Sequence, residues 1–63
     1  MTVDDLMERA YEIFDKGKLR KPDIEKLREI QDDLELLTND HNVSARFGEM
    51  IAQAMIDPNV YNP

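Results

Sequence analysis

The side chains able to do acid–base or nucleophilic chemistry occur singly along this chain. His41 is the only histidine, and its nearest acids in the sequence are Asp40 and the distant Asp57. A histidine-based metal or acid–base site needs a second member at a suitable spacing. Ser44 has no base at a recognisable spacing, and a chain without cysteine has neither a thiol nucleophile nor thiolate metal ligands. We therefore expect a protein that is not an enzyme and that holds no cofactor and no metal.

Two ligand-binding patterns can be tested by counting their ligands. A glycine-rich phosphate loop cannot be built from two glycines. The segment around Gly17 superficially resembles a calcium loop between two helices. With Gly17 at the sixth loop position, Phe14 and Lys16 occupy positions that require oxygen ligands. Neither phosphate nor calcium binding is predicted.

Residues 42–44 (Asn-Val-Ser), between two predicted helices, resemble the turn of a helix-turn-helix DNA-binding motif. That motif usually carries apolar residues where this chain has His41 and Gly48. The helix that would read DNA offers one cation, Arg46, and also carries Glu49. Because the formal net charge is -6, phosphate backbones should be repelled. The sequence predicts no direct binding of nucleic acid.

The pattern of apolar residues predicts an all-α fold. With 63 residues there is room for a single domain, residues 1–63. Apolar residues recur at helical spacing in three segments, about 3–16, 22–38 and 44–57. A short C-terminal tail follows, in which Val60 and Tyr61 could fold back onto the helices. We expect a small three-helix bundle.

The helix boundaries are predicted from residues that start or stop helices. Gly17 can adopt the left-handed conformation that ends the first helix. Pro22 suits the first turn of the second helix, because its missing N–H would have no partner there. Ser44 is a plausible N-cap of the third helix, and Pro58 disfavours helical backbone at the residue before it.

The third helix is apolar around most of its circumference. Only Arg46, Glu49 and Gln53 are strongly polar, and they share a narrow arc. A helix of this kind is normally buried, yet two neighbouring helices can cover only about half of it. We therefore predict a partner-binding surface on its outer side, joined by a leucine that breaks the spacing of the second helix and by a tail tyrosine. The predicted residues are Leu36, Ala45, Gly48, Ala52, Ile56 and Tyr61.

The predicted function is that of a non-catalytic protein-interaction module, a small regulatory, adaptor or assembly protein. The partner would be another protein or a second copy, and a two-fold homodimer is the simplest assembly. The alternative is an acidic inhibitor or DNA mimic, whose carboxylates imitate phosphates for a basic nucleic-acid-binding partner. Acidic residues on the predicted solvent-facing sides of the first two helices, such as Asp4, Glu8 and Glu29, would serve that role.

The expected location is the cytoplasm. The N-terminal segment has no basic stretch followed by an apolar run, so no signal peptide is predicted. No stretch approaches the roughly 18 apolar residues of a membrane span, so no membrane association is expected. The absence of cysteine is compatible with a reducing compartment.

Overall fold

The computed structural model describes residues 2–63 and contains three helices. They are α1 (Val3–Phe14), α2 (Lys21–Thr38) and α3 (His41–Ile56). The predicted all-α three-helix fold is confirmed. Among the described residues, no helix has both the length and the apolar character needed to cross a membrane.

The first helix ends two residues earlier than predicted. The backbone N–H of Lys16 donates to the Ile13 carbonyl, and that of Gly17 donates to the Phe14 carbonyl. These three-residue spacings replace the four-residue helical spacing. Gly17 then adopts a φ of 85°, the left-handed conformation that glycine takes without steric cost. Gly17 thus adopts the predicted left-handed conformation, but the helix ends before it.

The connection between α2 and α3 is shorter than predicted, and Ser44 is not the N-cap of α3. Asn39 ends α2 in the left-handed conformation, with φ 52° and ψ 33°. Asp40 then caps α3, because its Oδ1 accepts the Asn42 N–H at 2.9 Å. The helix therefore begins at His41, three residues before the predicted start. Ser44 lies inside the first turn and is buried.

The central helix α2 holds the bundle together. Both α1 and α3 pack against it, whereas no Cα atom of α1 lies within 8 Å of a Cα atom of α3. Side chains bridge the outer helices instead: the rings of Phe14 and Phe47 meet edge to face, with centroids 6.3 Å apart. One apolar cluster results, formed by Leu6, Ala10, Leu19, Ile24, Leu27, Ile30, Leu34, Phe47 and Ile51.

The C-terminal tail folds back onto the loop between α1 and α2. The Leu19 N–H donates to the Val60 carbonyl at 2.6 Å, and the Asn62 N–H donates to the Leu19 carbonyl at 2.9 Å. Val60 and Tyr61 pack against the core cluster, which confirms the predicted fold-back. Leu19 is completely buried as a result, although it lies in a loop.

Asp23 is the one almost completely buried carboxylate among residues 2–63. Its Oδ2 accepts the backbone N–H of Arg20, and its Oδ1 accepts a hydrogen bond from Lys16 Nζ, each at 2.9 Å. The Arg20 N–H and the Lys16 ammonium both lower the pKa of Asp23. Hydrogen bonds to both oxygens stabilise the charged form against the cost of burial, and they join the loop to the start of α2.

Candidate protein-binding surface

Three of the predicted interface residues form a row along the outside of α3. Ala45, Ala52 and Ile56 follow one another at intervals of seven and four residues, so they lie on one side of the helix. All three are exposed, and Ile56 retains 71% of its accessible surface. We call Ala45, Ala52 and Ile56 the outer row.

Gly48 lies next to the outer row but is partly covered by α2 of the same chain. A Cβ at position 48 would lie 2.6 Å from Gln31 Nε2, well inside van der Waals contact. That nitrogen donates to the Ser44 carbonyl at 3.0 Å, and the Gln31 Oε1 accepts a hydrogen bond from Arg28. The missing side chain at position 48 therefore makes room for the amide of Gln31.

The other two predicted residues lie on other elements of the chain. Leu36 is 82% exposed, but it borders a shallow depression with Leu6 and Leu37 on the side of α2 that faces α1. Tyr61 is partly buried and pairs with Leu19 in the tail contact. The structure thus brings Ala45, Ala52 and Ile56 together on α3, whereas Leu36 lies beside Leu6 and Leu37 and Tyr61 lies in the tail contact with Leu19.

A second apolar surface lies between α1 and α3, on the opposite flank of α3. The separation of these helices leaves an open groove lined by Met7, Leu34, Val43, Arg46, Phe47 and Met50. We call these six residues the groove. Val43 is 36% exposed and Met50 43% exposed, so the fold leaves both side chains accessible.

One sequence signal could have identified the groove. The apolar arc of α3 is wider than two neighbours can cover, and the excess can lie at either flank. Periodicity gives the angular position of each residue on its own helix, but it does not give the distance between α1 and α3. The sequence interpretation assigned the uncovered surface to the outer flank alone.

Charged residues lie beside both walls of the groove. Asp4 and Tyr11 lie about one turn before and after Met7 on α1, and both are exposed. Across the groove, Arg46 lies one turn from both Val43 and Met50. None of the ion pairs found within 4 Å in the described part of the chain involves Asp4 or Arg46. Glu49 lies one turn after Arg46 and is also exposed, so the α3 edge carries both signs of charge.

Glu35, His41 and Ser44 meet at the corner between α2 and α3, a cluster that sequence spacing does not reveal. The Glu35 Oε1 lies 2.7 Å from His41 Nδ1 and 3.3 Å from Ser44 Oγ. These hydrogen bonds, that of His41 first, lower the pKa of Glu35. The Ser44 hydroxyl also lies 3.0 Å from the His41 carbonyl, to which it can donate.

This cluster has the residue types of a hydrolytic triad but a different arrangement. In a triad the imidazole lies between the hydroxyl and the carboxylate and accepts the hydroxyl proton. Here the carboxylate of Glu35 lies between His41 and Ser44, and the hydroxyl is directed to oxygen atoms. Ser44 is also buried. The geometry favours a structural role in joining the end of α2 to the start of α3.

No family model, curated protein or solved structure matches this chain. The function must therefore be inferred from the chemistry of its own surfaces.

Proposed function

We propose that this protein is a non-catalytic protein-binding module that associates with itself through α3. The observation that carries the proposal is the exposure of four large apolar side chains on one helix. Val43, Met50, Met55 and Ile56 retain between 36% and 71% of their accessible surface. Isolated exposed apolar residues are ordinary, but contiguous apolar patches are typical of an interaction surface. Val43 and Met50 share one such patch, the groove, and Ile56 belongs to the outer row.

Self-association suits the size of the domain. A chain of 63 residues has a small core, and oligomerisation is one of the usual ways in which small domains gain stability. A second copy supplies another apolar α3 without a separate partner, and a two-fold arrangement uses the same surface on both copies.

The cytoplasm is the proposed location, since its reducing conditions suit a chain without cysteine.

Sedimentation equilibrium of the wild type and two charge-introducing variants tests the proposal. Ile56→Asp places a charge in the outer row, and Met50→Asp places one in the groove. Both residues are exposed, so each variant should remain folded as a monomer. We expect the wild type to dimerise, and at least one variant to raise the dissociation constant by roughly 30-fold or more, as expected for a buried interface residue.

Leu36→Asp is the matched control, because Leu36 is also an exposed apolar residue of a helix but lies on α2 rather than on α3. It should leave the dissociation constant nearly unchanged. A wild type that stays monomeric at high micromolar concentration would contradict self-association. A dimer that all three variants leave intact would place the interface outside α3.

The alternative function, an acidic inhibitor of a basic nucleic-acid-binding protein, is favoured by one observation. Among residues 2–63, only Asp23 and Glu35 have a carboxylate within 4 Å of a basic side-chain nitrogen. Acids such as Asp4 and Glu8 on α1 are exposed and free to meet a basic partner. Binding through carboxylates should weaken steeply with salt, whereas apolar association should hold or strengthen. Binding measurements at two salt concentrations separate the two functions.

A further inference from the structure

We infer that the exposed leucines at the end of α2 bind a basic amphipathic helix of another protein. The binding surface is the depression lined by Leu6, Asp33, Leu36 and Leu37, which we call the leucine depression. It adds a second surface and a second class of partner to the self-association proposed through α3.

The leucine depression offers apolar surface that the core does not use. Leu36 and Leu37 lie in the last turn of α2, and they are 82% and 48% exposed. Leu6, which is buried, contributes the part of the lining that comes from α1. An apolar side chain placed between these leucines would remove their surface from water, which is the main driving force of association.

The charges nearest to Leu36 on α2 have one sign. Glu29, Asp32 and Asp33 lie within about 60° of Leu36 around the helix and within about two turns before it. All three are exposed, and neither of the ion pairs found within 4 Å among residues 2–63 involves one of them. The apolar surface therefore has an acidic border, which favours a partner with positive charge.

Most of the basic residues lie far from Leu36. Half of the eight are in or beside the loop that precedes α2, at the opposite end of this helix: Lys16, Lys18, Arg20 and Lys21. Arg46 lines the groove together with Leu34, which lies about 160° from Leu36 around α2. Arg28 lies about two turns before Leu36 and donates a hydrogen bond to Gln31.

Arg9 and Lys26 mark where the acidic border ends. Both line a second depression between α1 and α2, which shares Leu6 and Asp33 with the leucine depression. The requirement for a basic partner is therefore confined to the end of α2 that carries Leu36.

The partner must be apolar and basic at once. A second copy turned by a two-fold rotation would bring Asp33 and its neighbouring acids against the same acids, and like charges repel. Because α1 and α2 are helices, an extended segment would find no sheet edge to join here. A helix with leucines on one side, flanked by lysines or arginines, meets both the apolar lining and the acidic border.

Titration with a synthetic peptide tests the inference. The probe is a fluorescently labelled peptide of leucine and lysine, about 18 residues long, with leucines at positions i, i+3, i+4 and i+7. Fluorescence anisotropy should give a dissociation constant of about 10 μM or lower in low salt. Raising the salt to about 500 mM should weaken binding several-fold, because screening reduces the contribution of the acidic border. A peptide of the same composition in scrambled order should bind at least about tenfold more weakly.

Two substitutions of exposed residues locate the site. Leu36→Ala removes the most exposed leucine and should raise the dissociation constant of the peptide about tenfold. Asp33→Asn removes a charge at nearly constant shape and should raise it about threefold in low salt. The controls are Ile56→Ala and Glu49→Gln, which remove matched groups from exposed positions on α3. Both controls should leave the dissociation constant unchanged, and circular dichroism shows whether each variant remains folded.

Three results would overturn the inference. The first is no detectable binding of the leucine–lysine peptide at protein concentrations up to about 1 mM. The second is equal binding of the scrambled peptide, which would indicate non-specific attraction. The third is binding that Leu36→Ala and Asp33→Asn leave intact. Self-association through α3 is measured separately by sedimentation, so each proposal can fail while the other stands.

Discussion

The side-chain amide of Gln31 occupies the space that a side chain at position 48 would need. The distance from Gln31 Nε2 to an ideal Cβ at Gly48 would be 2.6 Å, while the same nitrogen donates to the Ser44 carbonyl at 3.0 Å. Glycine inside a helix is about 1 kcal/mol less favourable than alanine. At position 48 the absence of a side chain leaves room for the hydrogen bond from Gln31 to Ser44, which joins α2 to α3.

A double-mutant cycle tests this relationship. Gly48→Ala alone should change the free energy of unfolding little, because a helix gain of about 1 kcal/mol is offset by the displaced hydrogen bond, about 0.5–1.5 kcal/mol. In a Gln31→Ala background the same substitution should stabilise by about 1 kcal/mol. Urea denaturation of the four chains gives the coupling energy. Equal effects in both backgrounds would contradict an interaction between the two positions.

Two leucines make a matched pair for testing burial. Leu19 lies in a loop and is completely buried, whereas Leu36 lies in a helix and is 82% exposed. Leu19→Ala should lower the free energy of unfolding by about 2–5 kcal/mol, as expected for a core truncation. Leu36→Ala should change it by no more than about 0.5 kcal/mol. Urea denaturation measures both, and similar losses would show that the tail does not cover Leu19.

The start of α3 provides a test of capping. Asp40→Ala removes the oxygen that accepts the Asn42 N–H and should destabilise the protein by about 1 kcal/mol. Asp40→Asn is the control, because asparagine caps helices about as well as aspartate. Thermal unfolding followed by circular dichroism distinguishes them. If Asp40→Ala and the wild type melt together, Asp40 does not act as the cap.

The buried carboxylate of Asp23 should make stability depend on pH. Its pKa is lowered in the folded protein by the Arg20 N–H and the Lys16 ammonium, so the unfolded chain binds a proton more readily. The resulting stabilisation is present above the unfolded-state pKa and is lost as the pH falls through the lower, folded-state pKa. The loss should begin below about pH 4.5.

Asp23→Asn should therefore be less stable than the wild type at pH 7, and the gap should narrow below about pH 4. Asp32→Asn is the control: this carboxylate lies on the exposed side of α2, and no hydrogen bond of its side chain is found within residues 2–63. It should follow the wild-type pH profile. Melting temperatures at pH 7, 5 and 3 test the comparison. A difference in melting temperature between Asp23→Asn and the wild type that is the same at all three pH values would contradict the prediction.

The sequence alone determined that the chain forms three helices. The helical periodicity and the helix-boundary residues Gly17 and Pro22 reflect interactions between residues that are close together in the chain. Such interactions can be predicted from the sequence alone. The sequence also indicated that α3 has more apolar surface than two neighbours can cover, and the exposure of Ala52 and Ile56 agrees with that expectation.

Tertiary structure decided which neighbour meets each side chain. The amide of Gln31 reaches Ser44, 13 residues along the chain, and comes close to Gly48. The buried position of Leu19 depends on a tail contact far along the chain. The groove exists because α1 and α3 both pack on α2 without approaching each other. A helical pattern specifies the angle of a residue on its own helix, whereas the distance and orientation between helices follow from how all the side chains pack together.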